Sequence, residues 1–446
     1  MSDDKKYCIP FALGPPSIPD LNSGQLNIWV GTTLLQCPGI SLSGVGRVYF
    51  DMLPFPEFRF EFNSDEHPLK QAFLYSTLSN WEMECGPPIG AIKCRVLSFK
   101  KNCSSGVPDQ IPIQENETLY TNAKFLVING PIVDGECIQL NGEPLQGRMT
   151  AEIGDCKVTV DPISRESQER RCLFKPTHVV ECEFEQAKSL SYIDGLRDGL
   201  FRTLSLMKCH WVGLLGPWMT STDTQAIGFR LSVTKTTRNG GTASWYHKSA
   251  GDCFAELAPR MFESFEDSKR GESLQTALHW LVEAEQCSGG IEGSIILQQS
   301  ALECLAWLAI VVDRSICSVP GFKNLPAADK IRWLLSLHSI DYSIPEKCSS
   351  IQTYAKEYNL LDLVEVFVDV RNALVHAEPK KIEKLFSRKQ GHDERNELWF
   401  QIGGLLHQAF LASVGYQGLL RRRDTDEYYA ANAVTPSPWA PSTSED

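Results

Sequence analysis

The sequence predicts an α+β chain in two parts, a mostly β N-terminal domain followed by an all-α helical bundle. Three observations lead there. Apolar and polar residues alternate from Ile28 to about Thr237, and apolar residues recur at helical spacing after about Gly251. Apolar residues also make up 42% of the 446 positions, enough to give each part its own core. The expected organisation is a β domain at 1–250, a helical domain at 251–423 and a disordered acidic tail at 424–446.

In the first half, Phe58-Arg-Phe-Glu-Phe62, Ile92-Lys-Cys-Arg-Val96, Lys157-Val-Thr-Val160 and Val180-Glu-Cys-Glu-Phe184 each read as a strand with one wet face. Turn clusters separate them at Asn141-Gly-Glu-Pro144, Ile153-Gly-Asp155 and Asn239-Gly-Gly241. The last suggests a hairpin joining Leu231–Thr237 to Ala243–Tyr246. One helical insertion, near Tyr192 to Met207, sets Ile193, Leu196, Leu200 and Leu204 on one face. In the second half, helices are expected near 252–266, 272–287, 292–313, 326–339, 351–376 and 394–416, with Ser288-Gly-Gly290 and Ser318-Val-Pro-Gly321 among the breaks.

Charge and cysteine content narrow the function classes. With 43 basic and 55 acidic residues the net charge is −12, which excludes a chain-wide grip on nucleic acid and leaves only a local basic patch. No export signal is read at the N-terminus, and the most apolar run, Cys304 to Val312, is nine residues against the ~20 needed to cross a bilayer. Fifteen cysteines without a CxxC pair read as free thiols. The expectation is a cytoplasmic protein with no membrane partner.

Candidate chemistry is sparse before residue 360. Cys85, Cys94 and Cys103 are too widely spaced for a zinc knuckle and HExxH is absent, so neither a metal nor another cofactor is expected. Gly44-Val-Gly46 lacks the rest of a phosphate loop, and Gly289-Gly-Ile-Glu-Gly293 carries no basic residue. Cys209-His210 reads as a packed thiol beside a surface imidazole.

One stretch, 360–381, stands apart. Leu360, Leu363, Val364, Phe367, Val370 and Leu374 form an apolar helical stripe, and Pro379 ends the helix near His376. An imidazole in a last helical turn sits where the dipole favours its cation, so it can serve as acid or base near neutral pH; the alternative is a decorated helix end. Arginine-to-histidine pairs at this spacing also occur at Arg171–His178 and Arg332–His338, close to what chance supplies. Of these three arginines only Arg371 is followed by a polar amide, Asn372.

Arg371-Asn372-Ala-Leu-Val-His376 at a helix end resembles the RNxxxH signature of HEPN domains. The preceding Leu278–Ala284 and Ile296–Trp307 segments resemble those of ApeA-like HEPN proteins, which pair such a bundle with a separate strand-rich domain. The resemblance covers about 270–415. It implies a metal-independent endoribonuclease acting in anti-phage abortive infection, with the N-terminal domain as sensor or restraint for a phage-derived trigger. In-line attack by a ribose 2′-hydroxyl needs a proton acceptor, a proton donor and positive charge on the phosphorane. His376 suits either of the first two and Arg371 the third, while the Asn372 amide can orient phosphate or imidazole. Five positions at 100° leave Arg371 and His376 about 140° apart on one helix. The resemblance therefore also implies a homodimer through the 360–376 helix, uniting the two groups from opposite chains.

Around this signature lies a cationic stretch. Between Arg371 and Arg395 seven basic residues face four acidic ones, and Lys380, Lys381, Lys384, Arg388 and Lys389 are candidate RNA contacts. Arg421-Arg-Arg423 is a second cationic spot, followed at once by acids. Glu303, a lone carboxylate in a very apolar helix, needs a partner; it either positions Arg371 or pins the bundle. The competing reading of the whole is a non-catalytic HEPN-fold binding or dimerisation module.

Overall fold

The computed structural model describes residues 9–10, 25–52, 56–64, 81–86, 89–100, 103–108, 118–140, 142–163, 174–221, 227–238, 240, 243–248, 253–287, 289–376, 389–425 and 434–440. The chain divides into two compact units. Residues 1–130, 136–201 and 212–239 form the first, and 131–135, 202–211 and 240–446 the second.

In the first unit a short strand β1 (Ile9–Pro10) precedes a barrel built from β2 (Gln25–Cys37), β3 (Ile40–Asp51), β4 (Glu57–Asn63), β5 (Trp81–Glu84), β6 (Ala91–Lys100) and β7 (Cys103–Pro108). These strands close in the order β2-β3-β4-β7-β6-β5, each pair antiparallel. The expected alternation is what fills it: Phe58, Phe60 and Phe62 are buried while Arg59 and Glu61 stay partly exposed. Gly106 is required where β7 approaches β6, since a Cβ there would collide with the Arg95 carbonyl.

The remaining strands of this unit are β8 (Tyr120–Ile128), β9 (Glu136–Leu140), β10 (Glu143–Ile153), β11 (Cys156–Pro162), β12 (Pro176–Lys188), β13 (Gly213–Ser221) and β14 (Ile227–Phe229). With β1 they form an eight-stranded sheet in the order β1-β9-β10-β11-β12-β8-β13-β14. Ile153 pairs with Cys156, so Gly154-Asp155 is a two-residue turn with Gly154 at φ 59°, as its sequence predicts. A buried Arg148–Asp161 pair, bonded at 2.6 and 2.7 Å, staples β10 to β11. The expected helix is α1 (Leu190–Lys208), with Ile193, Leu196, Leu200 and Leu204 all buried.

The strands expected on either side of Asn239-Gly-Gly241 are not formed, and Asn239 and Gly241 themselves lie outside the described residues. Residues 231–238 and 243–248 contain no strand, and the last change of unit along the chain falls at 239/240. The two segments bond elsewhere: Thr234 N donates to Leu214 O, while Trp245 Nε1 donates to Leu206 O. The glycines therefore mark a change of unit.

The second unit contains α2 (Cys253–Glu266), α3 (Ser268–Glu285), α4 (Gly290–Trp307), α5 (Val319–Asn324), α6 (Ala327–Leu337), α7 (Ser349–Tyr358), α8 (Leu363–His376) and α9 (Lys389–Ser413). Central to it is α4, which packs against α3, α6, α8 and α9 and continues through a π-helical turn at Leu308–Asp313. The span Gly290–Asp313 is long and apolar enough to cross a membrane, yet 56% of its most apolar window is buried inside the protein.

Three expectations need correction here. The helix expected at 351–376 is two helices, because Asn359 takes a left-handed conformation (φ 55°) and Leu360 N returns to Ala355 O, ending α7. The break at Ser318-Val-Pro-Gly321 is itself helical, with the Ser318 hydroxyl capping α5 at Gly321 N. The tail expected to be disordered contains β16 (Val434–Pro436), paired antiparallel with β15 (Leu419–Arg421), and Trp439 donates to Tyr416 O. Lacking a helical period, that segment bonds through its backbone.

Candidate functional site

The helix carrying the signature is fixed firmly at its start. The Asp362 carboxylate accepts from Glu365 N at 2.8 Å, and Glu365 reaches back to Leu361 N at 2.7 Å, a reciprocal capping arrangement. From α6, Arg332 donates to Asp362 at 2.7 Å and lies 2.8 Å from Glu365. These contacts hold the Glu365 carboxyl below its usual range, first through the Leu361 N–H and then through Arg332. Leu363, Val364, Val366, Phe367, Val370 and Ala373 are buried, so the predicted stripe faces the bundle, although Leu360 precedes the helix and Leu374 is half-buried.

Arg371 and Asn372 are half-buried neighbours, and Arg371 Nη1 donates to Asn372 Oδ1 at 3.1 Å. The buried Arg371 Nε has no hydrogen-bond partner, and among the described residues no carboxylate pairs with this guanidinium. Other half-buried or buried arginines do have one: Arg148 with Asp161, Arg332 with Asp362, Arg395 with Glu292 and Arg423 with Glu285. A guanidinium with no carboxylate partner among the described residues can take up an external anion. His376 is exposed at the final residue of α8, as its sequence predicts. No hydrogen bond joins it to Arg371 or Asn372, and the regular helix keeps the imidazole about 140° round from the guanidinium.

Glu303 does not hold Arg371. It accepts from Gln299 Nε2 at 2.7 Å and from Lys330 Nζ of α6 at 3.4 Å, so its ionic partner pins α4 to α6. Lys380, Lys381, Lys384 and Arg388 lie outside the described residues. Lys389 opens α9, but its side chain is also outside them. Arg395, counted in the cationic stretch, is buried and paired with Glu292, which removes it as a phosphate contact. The other two arginine–histidine spacings serve packing where they are described: Arg332 anchors α8, and burial depresses His338 to about 4.

Two sequence readings change at the base of the bundle. His210 is buried, not a surface imidazole, and burial depresses it to about 4. Arg423, read as part of an exposed cationic spot, is almost wholly buried: Nη2 donates to Glu285 Oε2 at 2.8 Å and to Ala243 O, and Nη1 donates to Phe400 O at 3.0 Å. His407 Nε2 lies 3.5 Å from Glu285 and 3.3 Å from Cys209 Sγ. Burial pushes the Cys209 thiol to about 12 and drives His407 well below its ordinary value, so this cluster holds an inert thiol and a neutral imidazole. One sequence signal for it was available. Gly403-Gly404 interrupts an otherwise favourable helix, and a Cβ on Gly403 would collide with the Arg423 guanidinium.

Comparison with known proteins concerns this helical unit. Residues 267–428 match the YopA C-terminal domain family. The matched segment begins within one residue of α3 and extends past Arg423, so it contains the α8 signature and, of the buried cluster, Glu285, His407 and Arg423 but not Cys209. Over 134 residues the chain is 34% identical to the SPbeta prophage-derived uncharacterized protein YopA of Bacillus subtilis (strain 168). That alignment spans 30% of this chain and 29% of the relative. The chain therefore covers under a third of the relative's length. No solved structure matches.

Proposed function

We propose that the helical unit is a HEPN-like, metal-independent endoribonuclease, and that the chain is an anti-phage effector whose N-terminal region senses or restrains. The observation that carries this reading is the Arg371 guanidinium, bonded among the described residues only to Asn372 and two helical turns from the start of a firmly anchored helix. A scissile phosphate would supply the missing anion. In this reading Arg371 stabilises the phosphorane and Asn372 orients the phosphate. His376 moves the proton from the 2′-hydroxyl or to the departing 5′-oxygen. The products are a 2′,3′-cyclic phosphate and a 5′-hydroxyl, and DNA is spared. Because one helix turns the two groups apart, the reading includes a homodimer in which α8 helices from two copies share a cleft. The prophage origin of the named relative is in keeping with a role in conflict between phage and host.

The second reading is a non-catalytic binding or dimerisation module, favoured by the absence of any hydrogen bond orienting His376 among the described residues. Expression of the wild type and of His376→Ala, followed by mapping of cellular RNA ends, separates the two. New 5′-hydroxyl ends in the wild type alone, formed also in EDTA-treated extract, support the nuclease. Identical RNA from both proteins, under conditions that relieve restraint, removes it.

A further inference from the structure

A small cavity of about 90 Å³ opens in the helical unit and is lined by Asp341, Ser343, Leu363, Gln401, Gln408 and Asp424, among others. Its space equals roughly three waters. Its inner wall is polar: Gln401 and Gln408, one heptad apart on α9, are both at least nine-tenths buried. Gln401 Nε2 donates to Arg423 O at 3.3 Å, whereas Gln408 has a single long bond, from Nε2 to Gly404 O at 3.4 Å. The Gln408 Oε1 is buried without any partner. A buried amide oxygen left unbonded in a folded protein requires a donor, and none is supplied by the described residues.

The outer wall defines the charge of that donor. Asp424 is neutralised by Arg422, whose Nε donates to it at 3.0 Å. Lys347, the other nearby cation, is committed to the carbonyls of Arg423 and Thr425. Asp341 is exposed and accepts only from Ser343, at 2.8 Å from N and 3.0 Å from Oγ, with no basic partner among the described residues. The cavity thus presents acceptors inside and, outside, one carboxylate with no cation beside it among the described residues.

We propose that this cavity binds a guanidinium group, which is planar, carries five N–H donors and no acceptor, and can bridge an amide oxygen and a carboxylate. A ligand there would also contact Leu363, the first residue of α8, and so link α8 to α9. This inference is independent of RNA cleavage.

Methylguanidinium is the probe, titrated into the full chain at constant ionic strength with saturation-transfer NMR read on its methyl protons. Saturable, millimolar binding is expected for so few atoms, weakened about fivefold or more by Asp341→Asn. The exposed position of Asp341 makes that variant safe for folding, and Gln408→Leu is a second, interior test expected to weaken binding similarly. Hexamethylguanidinium, which has no N–H, should not bind. A blocked arginine tripeptide distinguishes the source: tighter binding than methylguanidinium indicates an arginine side chain of a partner, weaker binding a free small molecule. The proposal is overturned by absence of saturable methylguanidinium binding, by equal affinity in both variants, by equal binding of the hexamethyl ion, or by a soaked crystal showing waters alone.

Discussion

Arg423 and Glu285 form a salt bridge at 2.8 Å with both side chains 1% exposed, joining the segment after α9 to the end of α3. Breaking one partner of such a pair strands the other in a low-dielectric interior, at a cost of about 3–5 kcal/mol. Arg423→Ala should therefore lower the free energy of unfolding by that amount in urea denaturation. The paired change Glu285→Leu with Arg423→Met should recover most of the loss, since no buried charge is then left alone. A single-variant effect under about 1 kcal/mol would show that water reaches the cluster.

Buried histidines set an acid limit on stability. His210 and His338 are depressed to about 4 by burial, and His407 is driven well below its ordinary value by burial and then by Arg423. Each imidazole is neutral when folded but gains a proton in the unfolded chain below about pH 6.5, so stability falls as pH drops from about 6.5 toward 4. The slope reaches about 1.4 kcal/mol per pH unit for each histidine. Glu285 acts in the opposite sense, because burial raises its carboxyl and its cost disappears as it protonates. Denaturant midpoints measured from pH 7 to pH 4 should fall, and His338→Leu should flatten the curve by one histidine's share.

Arg371 contrasts with Arg423. Its Nε is buried without a partner, and among the described residues no carboxylate compensates it. Replacing an unsatisfied buried donor by an apolar chain of similar shape is neutral or stabilising. Arg371→Met should accordingly leave stability within about 1 kcal/mol of wild type or raise it, while abolishing any RNA cleavage. A large loss of stability would identify Arg371 as a packing residue and weaken the nuclease reading.

The division into a strand-rich and a helical part was legible because burial imposes its own period. Phe58-Arg-Phe-Glu-Phe62 can satisfy only a sheet with one wet face, and Leu363, Val364, Phe367 and Val370 only a helix. What escaped were contacts between residues far apart in sequence. Glu303 in its apolar helix needs a cation or a hydrogen-bond donor, yet nothing local indicates that Lys330 would supply it across α4 and α6. Arg423 sits among acids and arginines and reads as solvated, while its true partner is 138 positions away. The break at Asn359 leaves no mark in the sequence because the apolar period continues through it. A left-handed asparagine redirects the chain without disturbing that pattern.

The anchoring of α8 offers a direct test of how firmly the signature is held. Asp362 both caps the helix and receives Arg332. Asp362→Ala should cost about 1 kcal/mol from the cap, with a further loss from the stranded Arg332. Hydrogen exchange should accelerate in the first turn of α8 more than in α4. Equal protection in both proteins would mean that packing of Val364 and Phe367 alone fixes the helix.

The proposed shared cleft makes a prediction that a single-chain site cannot. If each active site takes Arg371 from one copy and His376 from the other, an Arg371→Ala chain and a His376→Ala chain are each inactive alone. Their mixed dimer has one dead site, lacking both groups, and one site in which both are intact. Random pairing of equal amounts makes half the dimers mixed, each with one of two sites working, so co-expression should restore about a quarter of wild-type RNA cleavage. A site assembled within one chain gives no rescue, because every copy then lacks one group. The measurement is cleavage rate in co-purified, differently tagged chains, with the mixed dimer isolated by sequential affinity steps. Rescue places the two groups on opposite copies, and its absence from a verified mixed dimer rejects the shared cleft.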